Sequence, residues 1–359
     1  MAFLISNLLQ ACRSKSRAEP QDISGAAFRS SSSTTMTSAL SCAAREAESL
    51  TLQVLEIHSQ LSPKDLDLRP SEVVNGLFGR LVGLSIKTIS EAVTTTVTLQ
   101  SLARPQISGS DSLQVLSDPR IDDILTSLHE RCGTAEGHLE SHWANLISGD
   151  ESSTEKEVQT RLEQFPYYSN YVDLTRMELS ALHSLSQASA PPTTRFAFIG
   201  SGPLPLTSLC ICSSQRNAEV LNIDIQEHAI AESETLCRRL GPVASGMSFK
   251  HAAASDPSLD LRDFDVVYLA ALVGSTQDVK EDLLVSVVGR MKEGALLVVR
   301  SAERLRRLMY AEFDPTTEKV RECLDICLAV HPYNHVVNSV IIGKVKSRKI
   351  AEEVLASKL

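Results

Sequence analysis

Three groups of residues in this 359-residue chain have the types and spacing to do chemistry. The first is Phe196-Ala197-Phe198-Ile199-Gly200-Ser201-Gly202-Pro203, a run of strand formers followed by G-x-G and a proline. Such a turn lets backbone approach a bound molecule closely and aims helix N-terminal amides at it. Pro203 is expected near the first helical position, where a missing N–H costs nothing. The second group is Leu221-Asn222-Ile223-Asp224, an apolar run ending in an acid that can accept both hydroxyls of a ribose. The third is Glu136 and Glu140, spaced i and i+4 and so on one helix face. Tyr167, Tyr168 and Tyr171 follow a proline turn and can converge on that face from a neighbouring segment. Plain alternatives exist for each: a tight strand–helix turn, Asp224 as a helix cap, and a solvated glutamate face beside packed rings.

The later glycine of a dinucleotide-binding G-x-G-x-x-G is missing, because Leu204, Pro205 and Leu206 fill those positions. A ligand with ribose and adenine but no phosphate suits this loop better than NAD, and S-adenosylmethionine meets that requirement. Arg300 ends a further strand, at the face where open α/β sheets bind ligands, and suits bidentate pairing with a substrate carboxylate. An ordinary ion pair is the alternative. Gly274 would let backbone close over a cofactor. His331, Asn338 and Ser339 suit structural hydrogen bonds equally well. His138 and His142 have the spacing of a zinc helix but no H-E-x-x-H around them, so no metal site is expected. Cys210 and Cys212 read as packing residues.

These side chains need elements to hold them. From about residue 39 to 188 apolar residues recur at helical spacing, as in Ile121, Ile124, Leu125 and Leu128. After Pro191-Pro192 short apolar runs alternate with helical stretches. Strands are expected at residues 195–199, 219–224, 247–251, 265–269, 295–299, 324–331 and 336–343, with helices at 204–213, 227–240 and 277–292. Alternation of this kind argues for a parallel sheet covered by helices, and the last two runs for an antiparallel hairpin at its edge. The expected division is a tail at 1–38, an all-helical domain at 39–190, an α/β domain at 191–345 and a C-terminal tail at 346–359.

Composition narrows the function classes. With 35 Lys+Arg against 44 Asp+Glu the net charge is −9, so the basic footprint of a nucleic-acid binder is missing. No apolar run is long enough to span a bilayer as a helix. The eight cysteines form no C-x-x-C pair and read as reduced intracellular thiols. Residues 1–40 carry a Ser/Thr tract and scattered arginines; a transit peptide, a floppy tail and translation from Met36 are all open. Ser357-Lys358-Leu359 matches a receptor-read peroxisomal address, presented by a short polar helix at 346–356, so peroxisomal import is expected, with a cytoplasmic location as the alternative.

Six segments in order, between residues 121 and 344, resemble nicotianamine synthases. They are Arg131 to Glu140 (RCGTAEGHLE), Phe165 to Tyr171 (FPYYSNY), Phe198 to Ser208 (FIGSGPLPLTS), Asp265 to Gly274 (DVVYLAALVG), Leu297 to Ala302 (LVVRSA), and His331-Pro332 with Val337-Asn338-Ser339-Val340. The resemblance implies a helical N-terminal domain capping a Rossmann-like S-adenosylmethionine-dependent methyltransferase-type domain. It implies an aminocarboxypropyl transferase that joins three S-adenosylmethionine molecules, closes one azetidine ring and releases methylthioadenosine. No metal is needed for the reaction, while the product chelates iron, nickel, zinc and copper. By resemblance, Glu136 or Glu140 holds and deprotonates the reacting amine, with Tyr167, Tyr168 or Tyr171 positioning it. Gly200, Ser201, Gly202, Pro203, Asp224, Ala270, Leu272, Gly274 and Arg300 bind the cofactor portion. The segment His251-Ala252-Ala253-Ala254-Ser255-Asp256 departs from the family, which commonly carries an acid near the adenine. A methyltransferase of another kind, or a non-catalytic adenosine-binding scaffold, are the competing readings.

Overall fold

A computed structural model describes residues 32–87, 115–185 and 194–347, with side chains from residue 44. Residues 1–31, Arg104-Pro105, Pro191-Pro192, residues 348–356 and the Ser357-Lys358-Leu359 end lie outside the described residues, whereas the Ser/Thr tract from Ser32 onward is helical, inside the stretch expected to be a tail, and Lys346 and Ser347 are not helical.

Among the described residues five helices come first: α1 (Ser32–Leu61), α2 (Glu72–Ser85), α3 (Pro119–Ser148), α4 (Glu155–Glu163) and α5 (Tyr168–Leu185). Three of them start at side-chain caps. Ser71 accepts from the Val74 N–H, Asp118 accepts from Arg120 with Pro119 behind it, and Thr154 with Glu157 closes a capping box. On α3, Ile121, Leu128, Cys132, Ala135, Ala144 and Ile147 form the buried stripe. Glu136 and Glu140 fall on the same side, at the two turns between Cys132 and Ala144, so the helix turns them into the fold rather than toward solvent.

Seven strands follow: β1 (Arg195–Ile199), β2 (Glu219–Asp224), β3 (Met247–His251), β4 (Val266–Leu269), β5 (Leu296–Ser301), β6 (Leu324–Val330) and β7 (Ser339–Val345). They form one sheet in the order β3-β2-β1-β4-β5-β7-β6, parallel except for β7, which runs antiparallel to both β5 and β6. Helices α6 (Leu206–Ser214), α7 (Glu227–Leu240), α8 (Gln277–Val288) and α9 (Glu318–Cys323) connect them. The central strands β1, β4 and β5 are almost wholly buried, as strands covered on both faces must be. This is the α/β architecture expected, with a Rossmann-like sheet behind a helical region.

Some boundaries differ, each for a physical reason. The final strand begins at Ser339 rather than at 336, because the Asn334 and Asn170 side chains take the N–H groups of Val336 and Val337 out of any ladder. Helix α6 begins at Leu206, with Pro205 at its N-cap, so Pro203 sits in the loop and not at the first helical position. Three short elements have no counterpart among the sequence expectations: α9, and 3₁₀ turns at Gly241–Ala244 and Arg304–Leu308. The second of these turns, at Arg304–Leu308, is the one that reaches the helical region. Leu305, Leu308 and Met309 from that turn's neighbourhood pack into the core of α1–α3. Leu174, Ala181 and Leu182 of α5 pack on the sheet face made by Phe196, Phe198 and Tyr268. The helical region and the sheet therefore share their packing.

Candidate active site

At the carboxyl ends of β1, β2, β4 and β5, beneath α3, lies a cavity of about 390 Å³. Its floor is the loop after β1. Gly200 and Gly202 sit at φ of +80° and +66°, the left-handed region that glycine adopts without strain. The Gly200 and Ser201 N–H groups donate to the Ile223 carbonyl at 2.8 and 3.1 Å. The Gly202 N–H donates to Asp224 Oδ2 at 2.8 Å, and Gln226 N–H to Asp224 Oδ1 at 2.9 Å. Asp224 thus ties β2 to the glycine loop and still has lone pairs facing the cavity it lines. A Cβ on Gly202 would stand 2.6 Å from Glu140 Oε2, so this glycine is required by close approach to α3 as well as by conformation.

The loop after β4 forms one wall, and Ala270, Leu272 and Gly274 line the cavity with it. Gly274 has φ +82°, and a Cβ there would meet Lys280 backbone at 2.7 Å. The Lys280 side chain, 2% exposed, is the bolt behind this wall. Its Nζ donates to the carbonyl of Ala271 at 2.9 Å and lies 3.4 Å from that of Arg300. Burial pulls its ammonium down to about 8. Ala252, Ala253, Ala254 and Ser255 line the far side, so the place where the family's acid was missing is walled by small residues.

Above the glycine loop are the acids. Glu136 and Glu140 both line the cavity, one helical turn apart. Tyr171 Oη donates to Glu140 Oε1 at 2.7 Å, and Tyr310 Oη donates to Glu136 Oε2 at 2.8 Å. Among the described residues neither acid has an ion-pair partner. Burial, then the neighbouring Glu136, pushes Glu140 up to about 8 against the opposing pull of the Tyr171 hydroxyl. Burial likewise raises Glu136, with Tyr310 and Arg300 opposing. Burial and the Glu136 carboxyl together make Glu140 hold its proton to a higher pH than a free carboxyl does.

Of the three expected tyrosines, only Tyr171 reaches the acids. Helix phase explains this: Tyr171 shares a stripe with Leu174 and Glu178, whereas Tyr168 shares one with Val172, Thr175 and Leu179. The latter stripe lines a separate cavity of about 600 Å³ that also holds Cys210. Tyr167 packs edge-on to Phe165 and does not line the site. Tyr310 escaped sequence reading altogether.

Arg300 needs a correction too. Its guanidinium is 5% exposed and bonded within the chain: Nε to Glu178 Oε1 at 2.8 Å, Nη2 to Glu178 Oε2 at 3.1 Å and to Thr207 Oγ1 at 2.7 Å. It also lies over the Phe198 ring, 5.1 Å from the centroid. The bidentate carboxylate is therefore Glu178 rather than a substrate, and Arg300 meets the cavity as a fixed positive charge beneath the two acids. Ser201 Oγ and Asn338 Nδ2 are buried at the cavity wall with no protein partner among the described residues. His331, by contrast, bonds Ser339 Oγ at 3.0 Å and serves the hairpin. No cluster of three metal-ligating side chains occurs among the described residues. Cys210 and Cys212 are free, and burial raises both thiols to about 11.

An enclosed site with a phosphate-free glycine loop, a ribose-ready acid and two tyrosine-bonded carboxyls can hold a nucleoside and take a proton from an amine. Comparison with known proteins gives the family and the fold. Nicotianamine synthase 1 of Arabidopsis thaliana is 32% identical over 293 residues, 81% of this chain and 82% of that protein. Nicotianamine synthase 9 of Hordeum vulgare is 33% identical, covering 77% of this chain and 73% of its own. Among solved structures, MtNAS in complex with MTA and tNA superposes with a TM-score of 0.62 over 82% of this chain and 97% of that one, at 19% identity. A mutant of MtNAS in complex with S-adenosylmethionine gives 0.61. These two likenesses establish the fold. The family model described as "Nicotianamine synthase protein" matches residues 42–350, and the chain belongs to the nicotianamine synthase family.

Proposed function

We propose that this protein makes nicotianamine from S-adenosylmethionine alone, by successive 3-amino-3-carboxypropyl transfers with closure of one azetidine ring. The observation that carries the reading is the pair of tyrosine-bonded carboxyls set directly against the glycine loop, in a chain of this family. In each transfer an ammonium gives its proton to the Glu140 carboxylate. The freed lone pair then attacks the γ-carbon of a second S-adenosylmethionine. The γ-carbon–sulfur bond breaks with its electrons on sulfur, and methylthioadenosine leaves as a neutral thioether that needs no acid. A base with a raised pKa suits this step, because transfer is easiest when base and amine are matched near the working pH. Holding the arm toward the nucleophile is the larger task, since orientation of this kind supplies roughly 7–11 kcal/mol. Asp224 holds the ribose, Ser201 and Asn338 offer polar atoms to the amino-acid end, and Arg300 tempers the charge of the acids. The protein needs no metal for this chemistry.

Incubation of purified protein with S-adenosylmethionine, followed by mass spectrometry, tests the reading. Methylthioadenosine with nicotianamine is expected; S-adenosylhomocysteine would assign a methyltransferase, and binding without turnover a scaffold. A product that chelates transition metals places the protein in metal homeostasis. We further propose peroxisomal import, since a free Ser-Lys-Leu end is a receptor-read address; imaging of a fusion leaving Ser357-Lys358-Leu359 free would check this against a diffuse cytoplasmic signal.

A further inference from the structure

Proton removal at the reacting amine uses one carboxyl–tyrosine pair, yet the cavity holds two. Glu140–Tyr171 lies against the glycine loop, with Glu140 Oε2 at the edge of Gly202. Glu136–Tyr310 lies one turn toward the N-terminus of α3, about 6 Å along the helix axis. Tyr310 is held there by long-range ties. The 3₁₀ turn before it is anchored to α3 where a His129 ring nitrogen meets the Arg307 carbonyl at 2.7 Å, and to the hairpin by Arg306, bonded to the carbonyls of Asn334 and Val336. The charged and titratable groups around Glu136 are Glu140, Arg300, Tyr171, Tyr310, Tyr167 and Cys132. Arg300 is the one cation among them, and Glu178 occupies it. An enclosed acid served only by a hydroxyl fits a cationic ligand atom.

The chemistry supplies one. After the first transfer the intermediate carries two nitrogens separated by three carbons, about 5 Å apart when extended. Glu136 and Glu140, one helical turn apart and both lining the cavity, offer such a pair of nitrogens an acid each. We propose that Glu136 with Tyr310 is a holding station for the intermediate's second nitrogen, keeping the chain bound while its other amine reacts at Glu140. This deepens the proposed function and rests on it. Glu136 would be a binding residue of the intermediate and Tyr310 its positioning residue.

The test uses full-length Tyr310→Phe and Glu136→Gln with S-adenosylmethionine alone, quantifying methylthioadenosine, the free one-transfer intermediate and nicotianamine together. Methylthioadenosine release should fall far less than nicotianamine formation, so that the ratio of methylthioadenosine to nicotianamine rises about tenfold, the worth of one charge-assisted hydrogen bond, with the one-transfer intermediate appearing in solution. Glu140→Gln, in contrast, should lower every product together. If both variants lose all products in proportion, or keep the wild-type ratio, the holding station is refuted. Binding of methylthioadenosine, which needs the glycine loop and not Glu136, shows that each variant is folded; should Tyr310→Phe fail to bind it, Glu136→Gln alone decides. A wild-type protein that releases no methylthioadenosine would refute the proposed function itself, a different outcome.

Discussion

Two sets of buried acids face each other across Arg300, and the protein treats them in opposite ways. Glu178 is fully buried and receives the whole fork of Arg300, with Thr207 filling a further donor. Glu136 and Glu140 receive only tyrosine hydroxyls. A carboxylate matched by an arginine is fixed in charge and serves structure. One matched by a phenol stays free to take up and release a proton. The difference separates the framework of the site from its chemistry, although all three acids sit within one region of the fold.

Glu140→Gln should show the contrast most strongly. Removing a general base costs roughly 10²–10⁴-fold in rate, and steady-state release of methylthioadenosine would read it. The same change leaves the fold intact and, by removing a carboxylate that burial disfavours, should raise the ligand-free melting temperature. Next comes Arg300→Met, which strands Glu178 and should destabilise the protein by roughly 3–5 kcal/mol. Denaturant unfolding would measure that loss, and pairing it with Glu178→Met should restore most of it. A stable single variant would erase the distinction between the two sets.

Acid–base behaviour sharpens the comparison further. Because Glu140 is raised to about 8, turnover should climb as pH rises toward about 8, and Glu140→Gln should flatten that climb. Stability has the reverse sign. A carboxyl whose folded pKa exceeds its unfolded one binds more protons when folded, so between about pH 4 and about pH 8 it makes the ligand-free protein less stable as pH increases. Thermal melts of wild type against Glu140→Gln across that window would isolate the contribution. Smallest of all, Tyr167→Phe and Tyr168→Phe should alter turnover by less than about twofold, since neither hydroxyl bonds either acid and both changes keep the ring.

What could be read from the sequence was local. Residues 196–203 and 221–224 each carry their own message, because a strand, a glycine turn and a terminal acid sit within a few positions of one another. Glu136 and Glu140 were legible for the same reason: helical spacing puts them on one face whatever surrounds them. Partners across the fold were not. Tyr310 lies 174 residues from Glu136, and Arg300 lies 122 from Glu178. No spacing rule connects such positions before the 3₁₀ turn packs onto α3 and α5 onto the sheet. The choice among three tyrosines depended on the phase of α5, which its N-terminal residues alone do not fix. Nothing local in the sequence marks Lys280, and it is the packing of α8 that buries it against backbone carbonyls.

The central claim is that the cavity turns the amino-acid arm of S-adenosylmethionine, and not its methyl group, toward α3. A crystal structure of the Glu140→Gln protein with S-adenosylmethionine bound measures this directly. The arm's γ-carbon should lie on the side of residue 140 and Tyr171, with the methyl turned away and the ribose hydroxyls on Asp224. A methyl group pointing at residue 140, with the arm directed out of the cavity, would contradict the account.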